Sequence, residues 1–246
     1  MVDKMGEVKT AVVLVGGAGL RMYPLTENKP KCMIEIAGKP ILFWVLNWLK
    51  SNGIKNVVVG VAYKKEIVVN YLKNNNFGLN IAISEHSVEG ETGEGFRLAI
   101  ERYVNDENFI AMNGDELTNI NLSKMIKHHL RSGAIATLAV SPLKSPFGIV
   151  ELWEDNIVGF KEKPIITDKF VSSGIYVFNK KIKDYLPLNG AIEKTTFPRL
   201  AEMGVLKAYK MSSNERWATV NTVKDLQKAE EELKLMGFIE KFGESR

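Results

Sequence analysis

The sequence has a single cysteine, no long apolar run and only a small excess of charge of one sign. Because Cys32 is alone, the chain cannot form an intrachain disulfide, which favours a reducing compartment. No run of about 18 apolar residues occurs, so no membrane-spanning helix is predicted. The first ten residues contain Asp3 and Glu7 and lack an apolar core, so they do not predict a signal peptide. We therefore expect a cytoplasmic protein with no membrane partner.

The charge balance is close to even, with 33 basic and 29 acidic residues and a net charge of +4. The excess is spread along the chain, so composition does not predict a nucleic-acid partner. Two of the three histidines, His128 and His129, are adjacent on a predicted helix and point in different directions. They make a poor pair of metal ligands, and a solvated or half-buried helix face is the better interpretation.

The first 140 residues alternate between strand and helix patterns. Apolar runs predict strands at 8–15, 57–61, 81–83, 109–112 and 135–140, and helices at 40–50, 64–72, 92–103 and 122–131. This alternation predicts parallel βαβ units in a sheet covered on both faces. The later chain predicts a hairpin at 148–160, strands at 171–178 and 205–209, and helices at 192–203 and 224–236. We interpret residues 1–246 as a single α/β domain with a small inserted antiparallel lobe.

A glycine-rich segment, LVGGAGLRMYPLTENKPKCM, follows the first predicted strand. Gly16, Gly17 and Gly19 would let a ligand approach the backbone N–H groups at the carboxyl edge of the sheet. Arg21 and Lys31 add positive charge suited to phosphates. The pattern matches neither G-x-G-x-x-G nor the P-loop, and glycines alone also fit a tight turn. The combination with the two cations favours a phosphate-binding function.

The segment GGAGLRMYPLTENKPKCMIEIAGKPIL resembles the signature of the sugar-1-phosphate nucleotidylyltransferases, and the resemblance covers nearly the whole chain. NGDEL at 113–117 resembles the metal-binding Asp segment of that family. SPFGIVELWEDNIVGFKEKP at 145–164 resembles its sugar-binding hairpin, and SSGIYVF at 172–178 and IEKTTFPRLAEMGVLKAY at 192–209 follow in the family's order. The last segment favours members similar to mannose-1-phosphate guanylyltransferases, with thymidylyl, uridylyl and cytidylyl transfer left open.

The resemblance implies the nucleotide-diphospho-sugar transferase (GT-A-like) fold, a Rossmann-like, mainly parallel mixed sheet with helices on both faces and a small antiparallel sugar-binding lobe. It implies a reaction of an NTP with a sugar 1-phosphate that gives an NDP-sugar and pyrophosphate, with Mg²⁺ as cofactor. Nucleotide contacts are implied for Gly16, Gly17, Gly19, Thr92, Gly93 and Asp115. Catalytic roles are implied for Arg21, Lys31 and Asp115, of which Asp115 is also the metal ligand. Sugar-phosphate contacts are implied for Gly148, Glu162, Lys163 and Ser173.

The chain departs from the family pattern at several positions. Ser173 stands where many members have a sugar-contacting Asn, and Thr219 stands where they have a second metal-binding Asp. A hydroxyl is a poor substitute for a carboxylate on Mg²⁺. Three interpretations stay open: Asp115, triphosphate and waters hold the metal; Glu215 replaces the missing ligand; or the protein is a weak or inactive relative, such as a regulatory homologue that binds nucleotide sugars without turnover.

Two further expectations concern assembly and the cysteine. Many family members carry a C-terminal left-handed β-helix, which we do not expect here because the sequence ends soon after the helix at 224–236. Assembly through that module is therefore not predicted, and a homo-oligomer formed by other surfaces stays open. Cys32 has no neighbouring His motif, so we interpret it as a packing residue of the nucleotide loop and not as a nucleophile.

Overall fold

The computed structural model describes residues 8–243. The strands are β1 (Thr10–Leu14), β2 (Glu35–Ile36), β3 (Lys39–Pro40), β4 (Asn56–Val61), β5 (Asn80–Glu85), β6 (Asn108–Asn113), β7 (Glu116–Thr118), β8 (Ala136–Lys144), β9 (Ile149–Trp153), β10 (Asn156–Lys161), β11 (Ile165–Asn179), β12 (Leu206–Lys210) and β13 (Trp217–Thr219). The α-helices are α1 (Ile41–Ser51), α2 (Lys65–Asn74), α3 (Glu91–Tyr103), α4 (Leu122–Ser132), α5 (Thr196–Glu202), α6 (Val223–Leu235) and α7 (Phe238–Phe242). Each helix in this part of the chain is too short or too polar to cross a bilayer.

The centre of the fold is a seven-stranded sheet in the order β12-β8-β11-β6-β1-β4-β5. Strands β6, β1, β4 and β5 are mutually parallel, and β12 is parallel to β8. Strand β11 runs antiparallel to both of its neighbours, β6 and β8. The predicted mixed, mainly parallel sheet is thus confirmed. After β1 the chain adds β4 on one side of β1, and it later adds β6 on the other side of β1. This reversal opens a crevice at the carboxyl ends of β1 and β6.

Strand β1 forms because its five residues are all buried and alternate between two apolar cores. Ala11 and Val13 belong to the core that includes Trp44 of α1, whereas Val12 belongs to the core that includes Phe96 of α3. A strand with partners on both faces needs a continuous apolar run, and that is the pattern of this segment. The two layers of helices fix β1 firmly and so fix the start of the loop that follows it.

Several elements differ from the sequence prediction because side-chain hydrogen bonds and strand pairing between distant segments change them. The helix predicted at 192–203 begins only at Thr196, since the Ile192 amide donates to the Thr92 hydroxyl at 3.0 Å. The pair of short strands β7 and β13 was not predicted, because three residues carry too little periodicity. His129 is fully buried, and not solvated or half-buried as predicted, and it lies within hydrogen-bonding distance of Asn108.

Candidate active site

A cleft of about 410 Å³ lies where the parallel strands β1 and β6 end. Its lining includes five residues predicted from the sequence to bind nucleotide or act in catalysis, namely Gly16, Gly17, Lys31, Thr92 and Asp115. Arg21 does not line the cleft but is linked to it through Asn221, as described below. The fold therefore gathers residues from four separate chain segments at the edge of the sheet where open α/β proteins bind ligands.

The three glycines of the loop have different physical roles. A Cβ atom at Gly16 would lie 2.7 Å from the His86 ring, so a larger residue would displace that ring. Gly19 adopts φ +62°, and a Cβ there would lie 2.9 Å from the Cβ of Lys31. Gly17 has no such neighbour within 4 Å. Gly16 and Gly19 are thus required by the loop itself, while Gly17 keeps the backbone open to a ligand.

Lys31, Asp115, Arg21 and Asn221 form one polar cluster beside the cleft. The Lys31 ammonium is paired with the Asp115 carboxylate and also donates to Asn221 Oδ1 at 2.9 Å. Arg21 Nη2 donates to the same oxygen at 2.9 Å. The Lys31 and Asp115 side chains are 12% and 25% exposed, so water screens their charges only partly. One neutral carboxamide oxygen therefore holds two cations together.

Thr219 joins this cluster and does not lie apart from it. Asn221 Nδ2 donates to Thr219 Oγ1 at 2.9 Å. The backbone of Thr219 lies opposite Glu116 in the β7–β13 pair, directly after Asp115 in the chain. The position that departs from the family pattern is thus linked, through Asn221, to Lys31 and Arg21, which are predicted to bind phosphate.

The interpretation in which Glu215 replaces the missing carboxylate is not supported. The Glu215 carboxylate accepts from the backbone N–H groups of Asn121 (2.8 Å) and Ser212 (2.7 Å), and from the Tyr209 hydroxyl (2.9 Å). Partial burial acts to raise the pKa of Glu215, but these hydrogen bonds outweigh it and lower the pKa. The carboxylate is committed to holding the loop before β13.

Glu116 is a buried carboxyl group that the sequence reasoning did not single out. Trp217 Nε1 donates to Glu116 Oε2 at 2.7 Å. Burial and the neighbouring Asp115 charge raise the pKa of Glu116 well above its usual range. In the sequence, the only indication that Glu116 belongs to the site was its position directly after Asp115 in NGDEL. The pair of Glu116 and Trp217 fixes β7 against β13, and so fixes the distance between Asp115 and the segment that carries Asn221.

The surroundings of two other side chains near the cleft, Cys32 and His86, determine their chemical state. Burial, with the Asp115 charge adding to it, raises the pKa of Cys32 to about 12. The thiol is therefore inert, in agreement with its predicted packing role. His86 Nδ1 lies 2.8 Å from the Ser87 carbonyl oxygen, which can only accept, so Nδ1 carries the proton. His86 lines the cleft, and its Nε2 is buried with no hydrogen-bond partner within residues 8–243.

Thr92 and Gly93 are held by a neighbouring loop. Thr92 Oγ1 accepts from the Ile192 amide at 3.0 Å, and the Gly93 amide donates to the Gly190 carbonyl oxygen at 2.9 Å. A Cβ at Gly93 would lie 2.5 Å from that same oxygen and 2.5 Å from Pro187 Cγ. Thr92 lines the cleft, whereas Gly93 is not among the lining residues. The glycine at 93 is thus required by close packing of α3 on this loop.

We expect Gly93→Ala to destabilise the protein by about 1–2 kcal/mol, because the methyl group meets a backbone oxygen that cannot move without the loop. The gain of helix propensity, about 1 kcal/mol for Ala over Gly, is not enough to offset the collision. Urea unfolding followed by circular dichroism measures the change. Gly17→Ala is the matched control, since its methyl group meets nothing within 4 Å. Equal stability of the two variants would contradict the packing argument.

The predicted sugar-phosphate residues lie at the base of the β9–β10 hairpin, with one exception. A Cβ at Gly148 would lie 3.0 Å from Glu162 Oε2, and Lys163 Nζ lies 3.4 Å from Glu162 Oε1. Lys163 adopts φ +45°, a strained conformation that recurs at functional sites. Ser173 is fully buried and donates to the Ala139 carbonyl oxygen at 3.0 Å. Its hydroxyl is used by the fold, so the predicted contact of Ser173 with the sugar phosphate has no support in this geometry.

Comparison with known proteins places the chain in a family. The nucleotidyl transferase family model matches residues 10–235. A D-glycero-alpha-D-manno-heptose 1-phosphate guanylyltransferase of Aneurinibacillus thermoaerophilus is 32% identical over 231 residues, which cover 91% of this chain and 97% of that protein. The mannose-1-phosphate guanyltransferase beta-A of Xenopus laevis is 30% identical over 224 residues, which cover 87% of this chain and 62% of that protein.

Solved structures support the fold independently. The crystal structure of HddC from Yersinia pseudotuberculosis has a TM-score of 0.74 at 24% identity, and the match covers 92% of this chain and 100% of that one. The inositol-1-phosphate CTP transferase from T. maritima has a TM-score of 0.70 at 23% identity, with 96% and 97% of the two chains covered. The sequence matches and the shared fold together establish that this chain belongs to the nucleotidyl transferase family.

Proposed function

We propose that this protein transfers a nucleotidyl group from an NTP to a sugar 1-phosphate and releases pyrophosphate. Its family and the names of its relatives, which include heptose 1-phosphate and mannose-1-phosphate guanylyltransferases, support this reaction. The observation that carries the proposal is the meeting of Arg21 and Lys31 on one carboxamide oxygen beside Asp115, at the rim of a cleft that Gly16 and Gly17 help to line. Two anionic reactants can approach each other only where such cations offset their charge.

In this mechanism the nucleotide lies in the cleft, with its phosphates next to the backbone of Gly16, Gly17 and Gly19. Lys31 and Arg21 donate to the triphosphate and offset the charge that develops on the leaving pyrophosphate. An oxygen of the sugar phosphate attacks the α-phosphorus in line with the pyrophosphate, so one P–O bond forms as another breaks. The protein contributes position and electrostatic stabilisation and forms no covalent intermediate.

The sugar phosphate approaches from the hairpin side. Glu162 accepts hydrogen bonds from sugar hydroxyls, Lys163 pairs with the phosphate, and Gly148 offers its backbone to the sugar. The 3.4 Å separation of the Glu162 and Lys163 charged groups supports a shared site at the hairpin base. A carboxylate and an ammonium side by side suit a ligand that carries both hydroxyls and a phosphate.

The donor set beside the cleft fits Mg²⁺. Asp115 offers a carboxylate and Thr219 a neutral hydroxyl oxygen in the same cluster, whereas the Asn221 carboxamide oxygen already accepts from Lys31 and Arg21. Mg²⁺ prefers oxygen ligands and usually keeps several waters, with substrate phosphates among its ligands. Asp115 would be the one charged protein ligand, and Mg²⁺ when bound would offset triphosphate charge and polarise the α-phosphate.

The experiment that tests this function is pyrophosphate release in the presence of Mg²⁺, with five NTPs crossed against a panel of sugar 1-phosphates. We expect one pair to exceed all others. Nucleotide binding is measured in parallel by calorimetry. If every pair bound without turnover, the proposed enzymatic activity would be wrong. That result would favour the alternative of a regulatory homologue, which the Thr at position 219 raised.

We expect Thr219→Asp to lower the Mg²⁺ concentration needed for half-maximal nucleotide binding by about tenfold, since a second carboxylate raises the affinity of an oxygen site for the metal. A Mg²⁺ titration of nucleotide binding measures this without relying on turnover. Thr219→Val is the matched control, because it removes the hydroxyl without adding charge. An unchanged Mg²⁺ requirement in Thr219→Asp would place residue 219 outside the metal's reach.

A further inference from the structure

Asn221 lies between two cations and accepts from both. Its Oδ1 accepts from Arg21 Nη2 and from Lys31 Nζ, each at 2.9 Å, so the two cationic nitrogens are no further apart than twice that distance. A guanidinium and an ammonium can only donate, so the amide must turn its oxygen and not its nitrogen toward them. Two like charges this close repel each other, and the shared acceptor offsets that repulsion.

The side chain and the backbone of Asn221 are both anchored. Its Nδ2 donates to Thr219 Oγ1 at 2.9 Å, which fixes the orientation of the amide. Its backbone N–H donates to Asp225 Oδ2 at 3.0 Å. The same Asp225 carboxylate accepts from the Thr222 backbone N–H at 2.7 Å in the capping box that begins α6. Strand β13 on one side and helix α6 on the other thus hold the carboxamide oxygen in place.

The two cations depend on this oxygen to different degrees. Lys31 also pairs with Asp115, so it has a second anchor. Arg21 is exposed, and within residues 8–243 its guanidinium has no hydrogen-bond or ion-pair partner other than Asn221. A guanidinium carries five N–H donors and an ammonium three, so both cations keep donors for an anion. Asn221 therefore sets the orientation of Arg21 and shares in setting that of Lys31.

We propose that Asn221 is a positioning residue, which holds Arg21 and Lys31 so that their remaining donors bind the same phosphate group. This inference rests on the proposed function, which supplies the triphosphate and the leaving pyrophosphate. Donors that are held in place before the ligand arrives need no reorganisation when charge develops. The neutral amide suits this role, because it holds the two cations without cancelling their charge. A carboxylate at this position would remove one unit of the positive charge that attracts an anionic ligand.

Calorimetry of the full chain with inorganic pyrophosphate, in the absence of metal, tests the proposal without relying on turnover. We expect Asn221→Ala to lower the affinity for pyrophosphate about tenfold, because the ligand must then order the Arg21 side chain itself. In an Arg21→Gln background, the same substitution should lower the affinity by less than about threefold, since most of its effect passes through Arg21. A residue with only a structural role would give the same loss in both backgrounds.

Asn119→Ala is the matched control. Asn119 Oδ1 accepts from the Arg216 backbone N–H at 2.6 Å, so this amide also supports the β7–β13 region, but it bonds to neither cation. Its removal should change the pyrophosphate affinity by less than about twofold, because the cations keep their shared acceptor. Thermal unfolding checks that every variant folds.

Asn221→Asp separates position from charge. The new carboxylate has the shape of the amide and keeps an acceptor between the cations, but its charge opposes pyrophosphate. We expect the metal-free affinity to fall at least about tenfold at about 50 mM salt, and the loss to shrink as salt is raised to about 500 mM. The loss in Asn221→Ala should change little with salt, because that substitution alters no charge.

An unchanged pyrophosphate affinity in Asn221→Ala would overturn the proposal. So would an equal loss with and without the Arg21 guanidinium, a gain of metal-free affinity in Asn221→Asp, or a wild-type chain that does not bind pyrophosphate at about 1 mM. The proposed enzymatic activity fails on a different result, the absence of turnover with every pair of substrates, and that result leaves these binding comparisons unaffected.

Discussion

Replacing Lys31 by methionine is expected to lower kcat/KM by about 10³-fold, the loss typical of removing one preorganised donor from developing negative charge. The Lys31 ammonium is the group that joins the cleft, Asp115 and Asn221. Its removal takes away one of the two cations that donate to the triphosphate in the proposed mechanism and leaves the Asp115 charge to repel the triphosphate. We therefore expect metal-free nucleotide affinity and turnover to fall together.

Steady-state kinetics and calorimetry on the same preparation measure the two effects. Lys65→Met is the matched control, because Lys65 also pairs with a carboxylate, that of Glu85, but on the exposed surface. It should leave both quantities unchanged, since surface ion pairs contribute about 0–1 kcal/mol and neither Lys65 nor Glu85 lines the cleft. If Lys31→Met retained wild-type turnover, the assignment of this cluster to the chemistry would fail.

Replacing Asp115 by asparagine is expected to separate binding from turnover. In the absence of metal, the Asp115 carboxylate competes with the triphosphate for Lys31, because the two side chains are paired. Asp115→Asn frees the ammonium, so metal-free nucleotide affinity should rise several-fold. Turnover with Mg²⁺ should fall by about 10²–10³-fold, since the one charged protein ligand proposed for the metal is lost.

The opposite signs of the two effects make this prediction specific. A residue with only a structural role would lower affinity and turnover together, as a misfolded fraction does. Calorimetry with and without Mg²⁺, alongside pyrophosphate release, measures both quantities. Asp155→Asn at the exposed hairpin turn is the control carboxylate and should change neither. A fall in metal-free affinity for Asp115→Asn would contradict the competition argument.

The sheet and the first half of the cluster could be predicted from the sequence for a definite physical reason. The run at 8–15 and the run at 109–112 are continuously apolar, and buried parallel strands require such runs. Parallel strands end at the same edge, so the residues that follow them meet. That rule predicts that the loop after β1 and Asp115 lie at the same edge. It does not fix where Lys31, farther along that loop, is placed, and the structure pairs it with Asp115.

Asn221 could not be found in the same way. It follows β13, a three-residue strand whose place is fixed by pairing with β7 and by the bond from Trp217 to Glu116. Neither contact leaves a periodic pattern in the sequence. Ser173 was predicted from its position in a motif, but its hydroxyl is buried and donates to the backbone. A residue's position in a motif therefore does not determine its hydrogen-bond partner.

The link from Arg21 and Lys31 to Asn221 spans 200 and 190 residues of chain, respectively. At about 5–20 residues per second of synthesis, the two cations leave the ribosome roughly 10–40 s before their shared amide partner exists. A nucleotide stabilises only the state that can bind it. Substrate can therefore act as a folding ligand for this protein late in translation, after β13 has paired with β7, and its concentration in the cell sets how strongly the newly completed domain is protected from unfolding.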